Sequence, residues 1–331
     1  METSTDLAAP VRLTPAAKLA IVCLVYAGIA AWLSPTSFLA AFGETRLRIY
    51  YLLIPPTIFF GLAIAGVIKR PQSPLGFIRD KIKSRGVGAC LAIMLFIACL
   101  AAFTTYKHEF SESVSFFADP LFARMDAAIH FGDPWRWARA IPFPWYIDRL
   151  LFIFYSRLWL AQLAGVVVFA AWLDDAVARQ RYFTALTTTA IVLGIGVRLA
   201  GSSAGPIFYD RLFGEVRFAD LTKTMMQSNA GPDTMGIADY LWASYVSNET
   251  VIGSGISAMP SFHVAIVTLN ALFLSSINRW VGMATWIYAA IILFGSVYSG
   301  WHYAIDGYAS IALVLLIWRL AQRDLRVDIE G

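Results

Sequence analysis

Apolar residues run along this chain in long unbroken stretches, not in the short periodic stripes of a soluble amphipathic helix. Eight stretches, at about 16–34, 48–68, 87–106, 149–173, 183–203, 260–276, 281–299 and 302–320, are each read as one bilayer-crossing helix, which needs roughly 20 residues. The first reads as a span and not as a cleaved leader, because no small-residue cleavage pattern follows it and "SPTSFL" leads into further apolar sequence. No internal repeat and no low-complexity tract interrupts the series. Two longer polar segments do, at about 107–148 and 204–258. In the first, Phe and Leu recur at helical spacing among charges, and Trp135, Trp137 and Trp145 suit a headgroup zone. It is read as one or two amphipathic helices lying in the interface.

Charge orients the series. Lys69, Arg70, Arg79, Lys81, Lys83 and Arg85 crowd one loop between the second and third stretches, and short positive loops stay cytoplasmic. Alternation then places Arg12, Lys18, Arg179, Arg181, Arg279, Arg319, Arg323 and Arg326 on the same side, with both termini cytoplasmic and both long polar segments outside. The expected parts are two N-terminal helices with the basic loop (1–86), a membrane domain (87–320) and a cytoplasmic tail (321–331).

Composition agrees: 58% of residues are hydrophobic and 15% charged, against roughly 25% charged in a soluble domain. Such a chain has too little polar surface to coat a water-soluble globule. Cys23, Cys90 and Cys99 all lie in apolar runs, with neither disulfide nor metal spacing. The fold class expected is therefore all-α, a polytopic membrane helix bundle. No metal, other cofactor or nucleic acid is implied.

The chemistry gathers at the outer ends of the last three helices. The four histidines, His108, His130, His263 and His302, all fall on the expected outer side. In "SAMPSFHVAIV" the sequence places Pro260 at the first position of a helix. The N–H groups of Ser261, Phe262 and His263 would then lack intrahelical partners and make an anion site at the positive end of the helix dipole. The preceding "GSGIS" (253–257) can wrap closely round a ligand. In "SGWHYAID", His302 and Asp306 are four residues apart and share a helix face. A carboxylate there fixes the imidazole tautomer and leaves Nε2 free as nucleophile or base. A charge at Asp306, within an apolar helix, is costly and usually functional. One down-and-up hairpin separates His263 from His302, so both reach the same depth on the same side. Asp126 and His130 form a second pair at the same spacing, read as a structural pair at the interface.

At these residues the chain resembles a family. Met259-Pro260-Ser261-Phe262-His263 and Ser299-Gly300-Trp301-His302-Tyr303-Ala304-Ile305-Asp306 resemble the second and third motifs of the type 2 phosphatidic acid phosphatase superfamily, in the branch containing fungal inositol phosphorylceramide synthase. "DAAIHFGDPW", the region of Lys107 and "GPIFYD" (205–210) are similar to that branch, so the resemblance covers about 105–315. It implies a six-helix catalytic core with the first two helices as additions. It also implies His302 as the nucleophile on phosphorus, Asp306 as its orienting partner, His263 as acid to the leaving oxygen, and Ser261 as a phosphate ligand. Three positions depart from the pattern. Phe262 stands where the phosphatases have Gly, Ser296 where they have Arg, and the only Arg-Pro, Arg70-Pro71, lies in the basic loop.

Phosphoryl transfer still needs cations, since its catalysis is mostly positioning and charge stabilisation. Lys107 and Arg198 are the favoured candidates, followed by Arg157 and by Arg211 beside Tyr209, unless Arg211 pairs with Asp210. The expected function is a membrane phosphotransferase that moves a phosphate-linked headgroup from a lipid phosphodiester to a lipid alcohol. A lipid phosphate phosphatase is the alternative. An intramembrane serine hydrolase, from "GSSAG" (201–205), and a transporter fit the sequence less well. The first would need its serine on an exposed turn beside a base. The second would need paired broken helices in two halves, whereas these polar motifs gather in the C-terminal half.

Overall fold

The computed structural model describes residues 13–45, 53–247 and 255–330, and the side chains of all of these except 44, 45, 112 and 324–330. Arg12, the first residues of the second apolar run, Gly253 and Ser254, all named above, lie outside the described residues, as does the side chain of Arg326. The described residues form fourteen helices and no strand. They are α1 (Pro15–Leu33), α2 (Pro35–Thr45), α3 (Ile54–Lys69), α4 (Pro74–Ser113), α5 (Asp119–His130), α6 (Pro134–Ala140) and α7 (Ile147–Trp172). Then follow α8 (Ala176–Ala200), α9 (Pro206–Phe213), α10 (Ala219–Met226), α11 (Gly231–Ser247), α12 (Phe262–Ile277), α13 (Arg279–Tyr298) and α14 (Ala304–Glu330).

Six helices, α1, α4, α7, α8, α13 and the first 20 residues of α14, are long and apolar enough to cross a membrane. The shorter apolar α3 and α12 complete the eight expected runs. This is a multi-pass membrane protein. The basic loop, however, is shorter than expected. Only residues 70–73 separate α3 from α4, and Arg79, Lys81, Lys83 and Arg85 already belong to α4. Pro74 starts that helix, and nothing inside it breaks it: lysine and arginine are good helix formers. At 40 residues, α4 is about 60 Å long, so one helix joins the basic end of the bundle to the opposite end, where Lys107 lies. Similarly, α8 begins at Ala176, ahead of its apolar run, because the Asp175 side chain accepts from Ala178 N–H as an N-cap.

Packing in lipid gains little from apolarity itself and relies on close approach. Small residues serve that purpose: Ala164, Ala170 and Ala171 of α7 and Ala265 and Ala271 of α12 are all buried. A buried polar chain crosses this core, where Tyr182 Oη donates to Asn270 Oδ1 (2.9 Å) and Asn270 Nδ2 donates to Gln162 Oε1 (3.0 Å). A second apolar cluster, including Phe116, Trp135, Phe208, Leu221 and Tyr303, fills a cap made of α5, α6 and α9–α11. The three helices at 206–247 lie in a segment read only as polar. Their apolar residues pack on the cap and not across a membrane, so no long run marks them.

Candidate active site

The cap exists to hold two loop-to-helix junctions. At one, His302 Nδ1 lies 3.3 Å from Asp306 Oδ2, and Tyr303 N–H donates to the same oxygen at 3.0 Å. Asp306 is 0% exposed. With Nδ1–H turned to the carboxylate, His302 keeps Nε2 for chemistry. At the other junction Ser261 is the N-cap and α12 starts at Phe262, two residues later than the sequence suggested. Ser261 Oγ accepts from Val264 N–H (3.5 Å), and Ser261 N–H donates to the Asp306 carbonyl (3.4 Å). The expected free N–H at Ser261 is thus used to join the two motifs. The residue is fully buried and does not reach the cavity wall.

His263 is held differently. Its ring stacks on Tyr155 (centroids 4.3 Å, 12°) and lies 4.2 Å from the ring of Trp159, whose Nε1–H donates to the His263 carbonyl at 3.1 Å. Both histidines line one cavity of about 530 Å³. Lys107 and Arg198 line it too, while Phe103, Phe208, Phe262 and Trp301 make its walls largely apolar. This is an aromatic chamber with two imidazoles and two cations on its surface.

Arg198 is buried, and among the described residues no carboxylate pairs with it. Its Nη2 lies 2.7 Å from the Lys107 carbonyl, 2.6 Å from Ser111 Oγ and 3.0 Å from the Ile256 carbonyl. The guanidinium therefore fastens α4 to the loop before the second motif while lining the chamber. Gly255, at φ 84°, closes the same corner, where an added Cβ would lie 2.4 Å from the Lys107 carbonyl. The structure does not bring Tyr209 or Arg211 to the chamber. Tyr209 is buried among cap aromatics including Phe213 and Phe218. Arg211 pairs with Asp239 at 2.6 Å, and not with Asp210, which accepts from Phe218 N–H. Arg157 is exposed and does not line the chamber. Ser296, at the position of the phosphatase Arg, is fully buried, and its carbonyl accepts from Trp301 and His302 N–H in the turn below the histidine.

Sequence reasoning missed Asp119, and it gave Asp126 a structural role with His130 without finding what it caps. Asp126 (3% exposed) accepts from Ala304 N–H (2.7 Å) and Ile305 N–H (3.0 Å), so it caps the helix that carries Asp306. Asp119 (0% exposed) accepts from Ala204 and Gly205 N–H at 2.8 and 2.9 Å and from Tyr303 Oη at 2.9 Å. Burial raises the pKa of both carboxyls, and the N–H donors pull it back in part. Their spacing, two helical turns apart on α5, was the available signal. Gly205 lets the chain pass: at φ 97°, an added Cβ would lie 2.4 Å from the Trp301 carbonyl. Ser203, the serine of "GSSAG", is buried, and its Oγ accepts from Met259 N–H. It is a strut between the junctions and not an exposed nucleophile.

No curated protein and no solved structure matches the chain. A family model described as the PAP2 superfamily matches residues 120–320. The match starts later than the expected 105, leaves α1–α4 outside, and contains both histidine junctions. Covering more than half of the chain, it places this protein in the PAP2 superfamily, as an enzyme of the phosphatase and phosphotransferase type.

Proposed function

We propose that the protein transfers a phosphate-linked headgroup from a lipid phosphodiester to a lipid alcohol, through a covalent intermediate on His302. The observation that carries the reading is the chamber itself, with two histidines and two cations set in aromatic walls. His302 Nε2 attacks phosphorus and the bond to the donor's glycerol-type oxygen breaks. His263 gives that oxygen its proton. The acceptor hydroxyl then attacks the phosphohistidine, His263 takes its proton, and the P–N bond breaks. Asp306 holds the His302 tautomer and balances the positive charge the ring gains. Lys107 and Arg198 face the charge on the non-bridging oxygens. A diester carries one charge fewer than a monoester, which suits a site where Ser296 replaces a guanidinium, and the aromatic walls keep water from competing with the acceptor. The expected sidedness is extracytoplasmic for the chamber, from the basic end of α4 on the opposite side.

A second reading, hydrolysis of a lipid phosphate monoester, is favoured by the presence of both Lys107 and Arg198 at the wall. Purified protein given a labelled phosphodiester lipid and a lipid alcohol, and separately phosphatidic acid, tests the choice. Transfer product from the diester supports the proposal. Release of inorganic phosphate from the monoester, with no transfer product, establishes the second reading instead. In a background lacking Cys23, Cys90 and Cys99, a cysteine at Val216, which is exposed on the cap, is expected to react with an impermeant thiol reagent in intact cells. A cysteine at Ser84 is expected to react only after the membrane is opened. The reverse pattern overturns the sidedness.

A further inference from the structure

A second cavity, of about 540 Å³, lies between α1, α4 and α8, toward the basic end of the bundle. On α4 it is lined at three- and four-residue steps by Gly88, Ala92, Leu95, Cys99 and Phe103, one continuous helix face. Leu100, Phe103 and Phe262 line both this cavity and the histidine chamber. At that junction the Phe103 and Phe262 rings stack (centroids 4.1 Å, 25°). Gly194 makes room for them, since an added Cβ there would lie 2.7 Å from the Phe103 ring. From Phe103 to Gly88 the slot follows α4 for about 22 Å, against a hydrocarbon core about 30 Å thick. Thr187 apart, whose hydroxyl lies 3.5 Å from Cys23 Sγ, it is apolar until its far end, where Arg85, Arg179 and Gln180 close it. Those arginines are turned to backbone carbonyls: Arg85 Nη2 donates to Ala171 (3.1 Å) and Arg179 Nη1 to Leu173 (2.6 Å).

We infer that this slot holds one hydrocarbon chain of the reacting lipid, with the polar group in the histidine chamber and the chain end at the Arg85–Arg179 floor. The inference rests on the proposed lipid chemistry of that chamber and deepens it, because α1 and α4 precede the residues matched by the family. A single occupant follows from the shared wall. The cavities share Phe262, the residue next to His263, so a chain leaving the reaction centre has only the Phe103–Phe262 pair to pass. At the floor one nitrogen of each guanidinium already donates to a carbonyl, and the apolar walls between floor and chamber suit a hydrocarbon chain and not a phosphate. The slot's length selects a long chain, and its polar floor sets a limit to that length.

The test compares a hexanoyl with a palmitoyl version of the donor lipid on the purified full-length protein. Leu95→Trp and Ala20→Phe place bulk in the slot away from both histidines. Each is expected to lower kcat/KM for the palmitoyl donor by about tenfold or more, the worth of roughly two buried methylenes, and to leave the hexanoyl donor unchanged. Retained hexanoyl turnover shows that the variant is folded. Equal loss with both donors, or no loss with either, overturns the inference. A readout independent of turnover uses the unmodified protein and a palmitoyl lipid carrying a photoreactive group at the chain end. Cross-links near Arg85, Ala92 or Arg179 support the slot even if no transfer is seen. Cross-links confined to outward-facing residues overturn it even if transfer is seen.

Discussion

Two histidine–aspartate pairs of identical spacing lie on this chain, His302 with Asp306 and Asp126 with His130, and they are built for different work. In the first, the carboxylate faces the imidazole at 3.3 Å. In the second the carboxylate stands off at 3.9 Å: Asp126 spends its oxygens on Ala304 and Ile305 N–H, while His130 Nδ1 lies 2.8 Å from the Asp126 carbonyl and Nε2 2.9 Å from Tyr308 Oη. His302 lines the chamber with Asp306 behind it, while Asp126 clamps the start of the helix on which Asp306 is mounted. Spacing alone does not separate a reactive pair from a bracket. What separates them is where the carboxylate points, and the backbone N–H groups of another segment decide that.

Breaking the first pair is expected to have the largest effect. His302→Ala should lower turnover by about 10⁴-fold or more, and Asp306→Asn by about 10²–10⁴-fold through the wrong tautomer, with both proteins still folded by thermal melting. His263→Ala should cost about 10²–10⁴-fold and should recover partly with a donor whose leaving group is more acidic. Recovery in His302→Ala, and not in His263→Ala, would exchange the two roles.

Breaking the second pair separates position from chemistry. Asp126→Ala leaves two buried N–H groups without an acceptor and is expected to cost about 1–3 kcal/mol of stability. The lost cap should also lower kcat about 100-fold through misplacement of Asp306, with KM nearly unchanged and partial recovery in Asp126→Glu. A change in KM with kcat intact would make Asp126 a substrate contact. A pH series sharpens the point. Burial raises the folded pKa of Asp126 above its unfolded value, so the folded state holds the proton more tightly and stability falls as pH rises through that folded pKa. Thermal melting followed from neutral pH downward should therefore show a gain in stability that Asp126→Asn diminishes. An unchanged slope in that variant contradicts the assignment. The smallest effects belong to the outer half of the bracket and to the cap ion pair Arg211–Asp239. His130→Ala and Arg211→Ala should each change turnover by about twofold or less, whereas Arg198→Ala, at the chamber wall, should impair it severely.

The bundle was legible because lipid-facing helices must be apolar for some 20 residues, and His302, Asp306 and His263 were legible because polar residues stand out at such helix ends. Ser261 does stand at a helix start, but its N–H, expected to be free, reaches the Asp306 carbonyl, a contact across a hairpin that no local pattern encodes. Asp119 and Asp126 were less legible for the same reason. Their acceptors bind N–H groups between 85 and 179 residues away, while in sequence they are two charges on an amphipathic helix. The cap helices at 206–247 bury their apolar residues against one another, leaving no run to count. Phe262 could be seen as a departure from its family's glycine, but its stacking on Phe103 required the fold.

The central claim is that His302 carries the phosphorus group during turnover. The direct measurement is to mix the purified protein with a headgroup-labelled phosphodiester lipid without acceptor, quench at alkaline pH and locate the label by peptide mass spectrometry. The account predicts an acid-labile adduct on the peptide containing His302, discharged when a lipid alcohol is added and absent from His302→Ala. Label on any other residue, or transfer by His302→Ala at the native rate, would contradict it.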